Sequence, residues 1–154
     1  EPGTDRLAGA LALRELRPLP ACAVHVGTAV TLDVVAADGA FVGGAIFPGI
    51  DLQLQALQTG TARLGAIANL PATGHRIGRT TADAMAFGII RGVAWAVHGL
   101  LLDIARELTT PLGSIVISGG AAAPVIRFLR RQRLPVVADP LLALRGLACW
   151  YMLR

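Results

Sequence analysis

The chain has 154 residues and a mass of 16.0 kDa, with 54% hydrophobic and 16% charged residues, a balance that excludes a disordered segment, a collagen-like repeat and a coiled coil. A chain of this size removes roughly 68 to 70% of its unfolded surface from water on folding, so a single core is sufficient without disulfides or a structural metal. All 14 basic residues are arginine, giving a net charge of +4. They are spread along the chain, and only Arg127, Arg130, Arg131 and Arg133 cluster, so there is no extended basic stripe with interleaved aromatics and no nucleic-acid partner is expected.

Cys22 and Cys149 have no C-x-x-C spacing and read as buried thiols of a reducing compartment. Mean hydropathy is +0.60. The uncharged stretches are nevertheless too short or are punctured by Gly, Pro, Ser and Thr, as in residues 108–126, so neither a membrane span nor a signal peptide is expected. The chain opens on Glu1-Pro2-Gly3 without a methionine, which suggests processing or a piece of something longer.

Apolar residues at Leu7, Leu11 and Leu13 with intervening alanines predict a helix over 5–16, ended by Pro18 and Pro20. Strands are expected at 21–26 and 29–36, broken by Gly27-Thr28, and the second ends at the hairpin signal Asp38-Gly39. A third strand, 41–47, is interrupted by Gly43 and Gly44, as where another backbone comes close. A helix after Pro48 and a polar connection at about 60–79 lead to the longest helix, over 80–108, with Thr80 or Thr81 as its cap and Asp83 in its first turn. Its glycines, Gly88, Gly92 and Gly99, suggest close packing against a sheet or a partner. The last third alternates strand 114–118, helix 121–131, strand 134–138 and helix 140–153, with Pro140 in the first turn. Three antiparallel strands followed by alternating helices and strands make a mixed α/β sheet flanked by helices.

Candidate chemistry sits at the breaks. Gly27 and Thr28 offer backbone N–H groups and a hydroxyl at a tight turn, suited to a phosphate or simply to the turn itself. Ser118-Gly119-Gly120 stands at a strand end opening a helix, where a nucleotide can approach. Asp5 and Arg6 place a carboxylate beside a guanidinium, able to orient a substrate hydroxyl and carboxylate, or to cap the helix and face solvent. His25, His75 and His98 have no metal-ligand spacing.

These breaks occur in a fixed order: G-T-D-R at 3–6, H-V-G-T-A-V-T at 25–31, G-G-A-I-F-P-G at 43–49, G-R-T-T-A-D-A-M at 78–85, I-S-G-G at 117–120 and A-D-P-L-L-A-L-R-G-L at 138–147. Over nearly the whole chain the series resembles the type III pantothenate kinases, whose relatives include the Bvg accessory factor proteins. The resemblance implies an RNase-H-like lobe of the acetate kinase, sugar kinase, Hsp70 and actin superfamily, with a mixed five-stranded sheet. It implies one domain, 1–154, equivalent to the C-terminal lobe, with the N-terminal phosphate-loop lobe missing and little kinase activity expected of this chain alone.

By the same resemblance the reaction is ATP-dependent phosphorylation of pantothenate to 4'-phosphopantothenate, the first step of coenzyme A biosynthesis, in the cytoplasm and with magnesium. Asp5 would be the general base, and Gly3, Thr4, Asp5 and Arg6 would contact pantothenate. Gly27, Thr28, Gly119 and Gly120 would line the nucleotide. Thr81 would contact substrate across a homodimer interface made with the long helix. The family holds a potassium or ammonium ion with an aspartate where this chain has His25, and an imidazole is a poor ligand for such an ion, so no metal ligand is assigned. The rival readings are a noncatalytic transcriptional regulator of the Bvg accessory factor kind and another small-molecule kinase of the superfamily.

Overall fold

The computed structural model describes residues 2–60 and 77–153, so His75 and most of the polar connection before the long helix lie outside the described residues. In chain order the elements are α1 (Thr4–Leu16), β1 (Ala21–Val26), β2 (Ala29–Val35), β3 (Phe41–Pro48), α2 (Ile50–Gly60), α3 (Thr81–Glu107), β4 (Ser114–Ser118), α4 (Ala122–Arg131), β5 (Val136–Ala138) and α5 (Leu142–Met152). The strands form one sheet in the order β3-β2-β1-β4-β5. β1, β2 and β3 are an antiparallel meander, whereas β4 runs parallel to β1 and β5 parallel to β4. This is the expected mixed five-stranded arrangement.

Alternation along the strands divides the core in two. Val24, Val26, Val30, Leu32, Ile115 and Ile117 pack with residues of α2, α3 and α4 such as Leu54, Ile89, Val97, Val125 and Leu129. On the opposite face Ala21, Ala23, Val35 and Val116 meet Ala12 and Leu13 of α1 and Leu142 of α5. Small residues dominate that second layer, which lets α1 and α5 lie close. A Cβ on Gly146 would overlap the carbonyl of Ala8, so α5 crosses α1 at near backbone contact.

Differences from the sequence expectation have local causes. Pro135 cannot donate to a ladder and Leu134 bonds back to the carbonyl of Leu129, so β5 begins only at Val136. Pro140 precedes α5 instead of sitting in its first turn, because the Asp139 carboxylate accepts the N–H of Leu141 and the chain turns there first. The expected close packing of Gly88, Gly92 and Gly99 is not found among the described residues: a Cβ at each would meet nothing there within 4 Å. The side of α3 that faces the sheet is instead carried by Met85, Ile89, Val93, Val97 and Leu101. By length and composition α3 is long and apolar enough to cross a membrane, but this stripe is engaged in the core. Gly44 does have a backbone against it, the Leu32 carbonyl of β2, as its place in a strand suggested.

Two side-chain features yield tests. Burial, with a smaller effect from the charge of Asp33, pushes the Cys22 thiol up to about 12, and Cys149 is buried as well. Because the thiolate is the reactive form, a maleimide at neutral pH should label neither cysteine in the native protein and both after denaturation, as read by mass spectrometry. Rapid native labelling of Cys22 would contradict its placement.

Asp139, after β5, accepts from Arg17 of the α1 C-cap at 3.0 Å and from Arg145 of α5 at 3.1 Å, tying both helices to the sheet. Burial alone would raise its pKa. The hydrogen bonds from Arg145 and Leu141, the Arg145 charge and the Arg17 hydrogen bond outweigh that and hold it below the ordinary carboxylate value. Its contribution to stability is therefore present above the unfolded value and is lost as pH falls through the lower folded value. Asp139→Asn should cost about 2 kcal/mol in urea unfolding at pH 7, less than a wholly buried pair because Arg145 is half exposed. The gap from the parent should close at a pH acidic enough to protonate Asp139, and an equal gap at both pH values would contradict the assignment.

Candidate active site

The first turn of α1 is built around a glycine. Gly3 is the N-cap, in extended conformation and without a side-chain cap bond, and a Cβ there would stand 2.6 Å from Oδ1 of Asp5. Asp5 is thus inside the helix, not its cap, with an exposed carboxylate folded back toward the N-terminus, where the helix dipole favours negative charge. Thr4 is exposed beside it.

Arg6 does not stand free in solvent. Its Nε and Nη2 both donate to Oδ1 of Asp33 at 2.6 Å, and the guanidinium lies 5.8 Å from the centroid of Phe41. The other oxygen of Asp33 accepts from the Thr31 hydroxyl at 3.1 Å. Asp33 is one of three buried polar or charged residues among those described, at 4% exposure, and sequence reasoning passed it over. The available signal was an acidic residue inside an apolar, β-branched strand, which is tolerated only with a partner. Through this pair the first turn of α1 is fastened over β2, with Nε and Nη2 of the guanidinium turned to Asp33.

On that same sheet face Thr31 lies opposite His25 in the antiparallel register, and His25 lies beside Ser118 in the parallel one. The His25 Nδ1 is 3.1 Å from the hydroxyl of the buried Ser118. Immediately beyond are the two expected turns. Gly27 closes the β1–β2 turn by donating to the Ala29 carbonyl at 3.0 Å, and the Gly49 N–H takes the Thr28 carbonyl at 2.8 Å, leaving the Thr28 side chain exposed. Gly119 has φ of 102°, and a Cβ there would overlap the Val26 backbone, so only glycine lets the β4–α4 turn lie against the end of β1. Gly120 is exposed, with open space where its Cβ would be. The ends of neighbouring parallel strands carry both glycine turns, the position at which open α/β sheets receive ligands.

Thr81 is not part of this group. It is exposed in the first turn of α3, which packs on the other face of the sheet, and the cap there is Thr80, whose hydroxyl accepts the Asp83 N–H at 3.1 Å. Among the described residues no three His, Cys, Asp or Glu side chains gather in a way that could hold a metal ion.

A meander, a parallel crossover and paired glycine turns make an actin-like α/β fold, which solved structures share. An archaeal actin homolog superposes with a TM-score of 0.56 at 14% identity, over 91% of this chain and 52% of the homolog. The activator of 2-hydroxyisocaproyl-CoA dehydratase from Clostridium difficile gives 0.58 at 13% identity, over 95% of this chain and 65% of the activator. A Campylobacter jejuni protein described as belonging to the Baf family of transcriptional activators gives 0.61 at 23% identity, over 95% and 61%. The sequence profile of type III pantothenate kinase matches residues 1–103, and the chain belongs to this family. It is 39% identical over 147 residues to the type III pantothenate kinase of Acidothermus cellulolyticus, covering 96% of this chain and 56% of the relative. With that of Caulobacter vibrioides it shares 41% over 124 residues, covering 80% and 47%. The chain spans about half the length of these curated relatives.

Proposed function

We propose that the complete gene product phosphorylates pantothenate at its primary hydroxyl, using ATP, to give 4'-phosphopantothenate in the cytoplasm. The observation that carries this is the fastening of the Asp5–Arg6 turn, through Asp33, to the sheet face bordered by the Gly27-Thr28 and Gly119-Gly120 turns. Asp5 accepts the proton of the substrate hydroxyl as its oxygen attacks the terminal phosphorus and ADP departs. Gly3, Thr4 and Arg6 hold the pantothenate, while Gly27, Thr28, Gly119 and Gly120 receive the nucleotide. Most of the acceleration comes from positioning and charge stabilisation. Magnesium, when bound with the nucleotide, neutralises charge on the phosphates, and no residue described here is assigned to hold it.

The residues do not fit a monovalent cation at His25. The position offers an imidazole with one nitrogen engaged by Ser118 in place of an oxygen donor. The exposed glycines of α3, Gly88 and Gly92, and the placement of Thr81 away from Asp5 support a homodimer in which α3 helices meet and Thr81 reaches the partner's site. A regulatory reading has less support: the Baf-like structure, at 23% identity, speaks to fold alone, whereas the relatives near 40% identity are named as kinases.

A coupled assay of ADP release by the complete gene product, with and without pantothenate, tests the proposal. Release that depends on pantothenate and is indifferent to potassium is expected. Pantothenate-independent hydrolysis favours a different kinase of the superfamily, and no hydrolysis favours the regulator.

A further inference from the structure

Among the side chains on the site face, His25 has no task in the reaction described above. It is exposed near the end of β1, yet its ring is fixed: Nδ1 is held 3.1 Å from the hydroxyl of buried Ser118. The opposite edge of the ring lies over the β1–β2 turn, since a Cβ on Gly27 would come 2.8 Å from Nε2 and 3.2 Å from Cδ2. Gly27 therefore leaves room for the ring, and Nε2 lies against the Gly27-Thr28 turn, on the edge of the ring away from Ser118. When Ser118 donates to Nδ1, the proton is on Nε2; when the ring is protonated, both nitrogens carry one and Ser118 accepts. In either state Nε2 presents an N–H to whatever sits at that turn, and an anion there favours these states over the remaining tautomer.

We propose that His25 is a phosphate ligand, donating from Nε2 to an oxygen of the triphosphate seated at the Gly27-Thr28 turn, and that Ser118 is its positioning residue. This rests on the reading of that turn as the nucleotide site. The contact is made to the polyphosphate and not to the nucleoside, which separates it from a merely structural role.

The test uses isothermal titration of the complete gene product with ATP, inorganic tripolyphosphate and adenosine. His25→Ala should weaken ATP and tripolyphosphate alike by about tenfold, the loss of one hydrogen bond to a charged group, and leave adenosine unchanged. His25→Gln, which keeps an N–H donor, should recover part of the loss, and Ser118→Ala should weaken tripolyphosphate about threefold by freeing the ring. Because His25 is exposed, its two variants should melt with the parent. Unchanged tripolyphosphate affinity in a folded His25→Ala variant, with the parent binding normally, overturns the proposal. Failure of the parent itself to bind tripolyphosphate overturns the nucleotide reading of the turn, and the proposal with it.

Discussion

Asp5→Asn in the complete gene product should lower kcat by about 10²- to 10⁴-fold in the coupled assay while the KM for ATP stays near that of the parent. Asparagine preserves shape and a hydrogen-bond acceptor but cannot take up the hydroxyl proton, so the loss falls on turnover and not on nucleotide binding. The structure makes the variant informative. Asp5 is exposed, is not the N-cap of α1 and makes no ion pair or hydrogen bond to another element among the described residues, so its replacement should change stability by no more than about 0.5 kcal/mol. An unaltered kcat removes Asp5 from the chemistry. A lost fold would instead give the carboxylate a structural role that its surroundings do not suggest.

Gly146→Ala should be the most damaging single methyl addition in the layer beneath the site. The added Cβ would overlap the main-chain carbonyl of Ala8, which cannot swing aside as the end of a side chain would. α5 must then withdraw from α1, opening the layer of Ala12, Leu13 and Leu142. Overpacking of this kind costs about 3 kcal/mol, measurable by urea unfolding. Activity should fall with it, because α1 carries Asp5 and Arg6 into the site. Gly9→Ala is the matched control. It lies on the same pair of helices, but its Cβ would meet only a Leu142 methyl at 3.9 Å, an ordinary contact, so it should be neutral or stabilising by up to about 1 kcal/mol. Equal stability of the two variants would contradict the close crossing.

Much of the fold was legible because its boundaries are set by local chemistry. The Asp38-Gly39 turn, the glycines in β3 and the start of α3 at Thr80 follow from φ preferences and capping, which operate over a few residues. Elements misjudged at their ends depend on partners distant in sequence: Pro140 is displaced from α5 by Asp139, whose carboxylate is fixed by Arg17. The candidate site divides in the same way. Gly27, Thr28, Gly119 and Gly120 stood out as breaks in periodicity and Asp5 as a charge at a helix start, and Gly3 entered through the family resemblance, whereas Asp33 did not stand out, since its partner Arg6 lies on another element and only the fold brings the two charges together. The glycines of α3 suggested close packing against a sheet or a partner, and among the described residues a Cβ on any of them would meet nothing within 4 Å, so the sheet is not what they pack against.

The most direct measurement is a crystal structure of the complete gene product with a non-hydrolysable ATP analogue and pantothenate. The account predicts the Asp5 carboxylate within hydrogen-bond reach of the vitamin's primary hydroxyl, and the terminal phosphates against Thr28 in the same cleft. Phosphates bound away from the Gly27-Thr28 turn, or pantothenate on the α3 side of the sheet with Asp5 in open solvent, would contradict it.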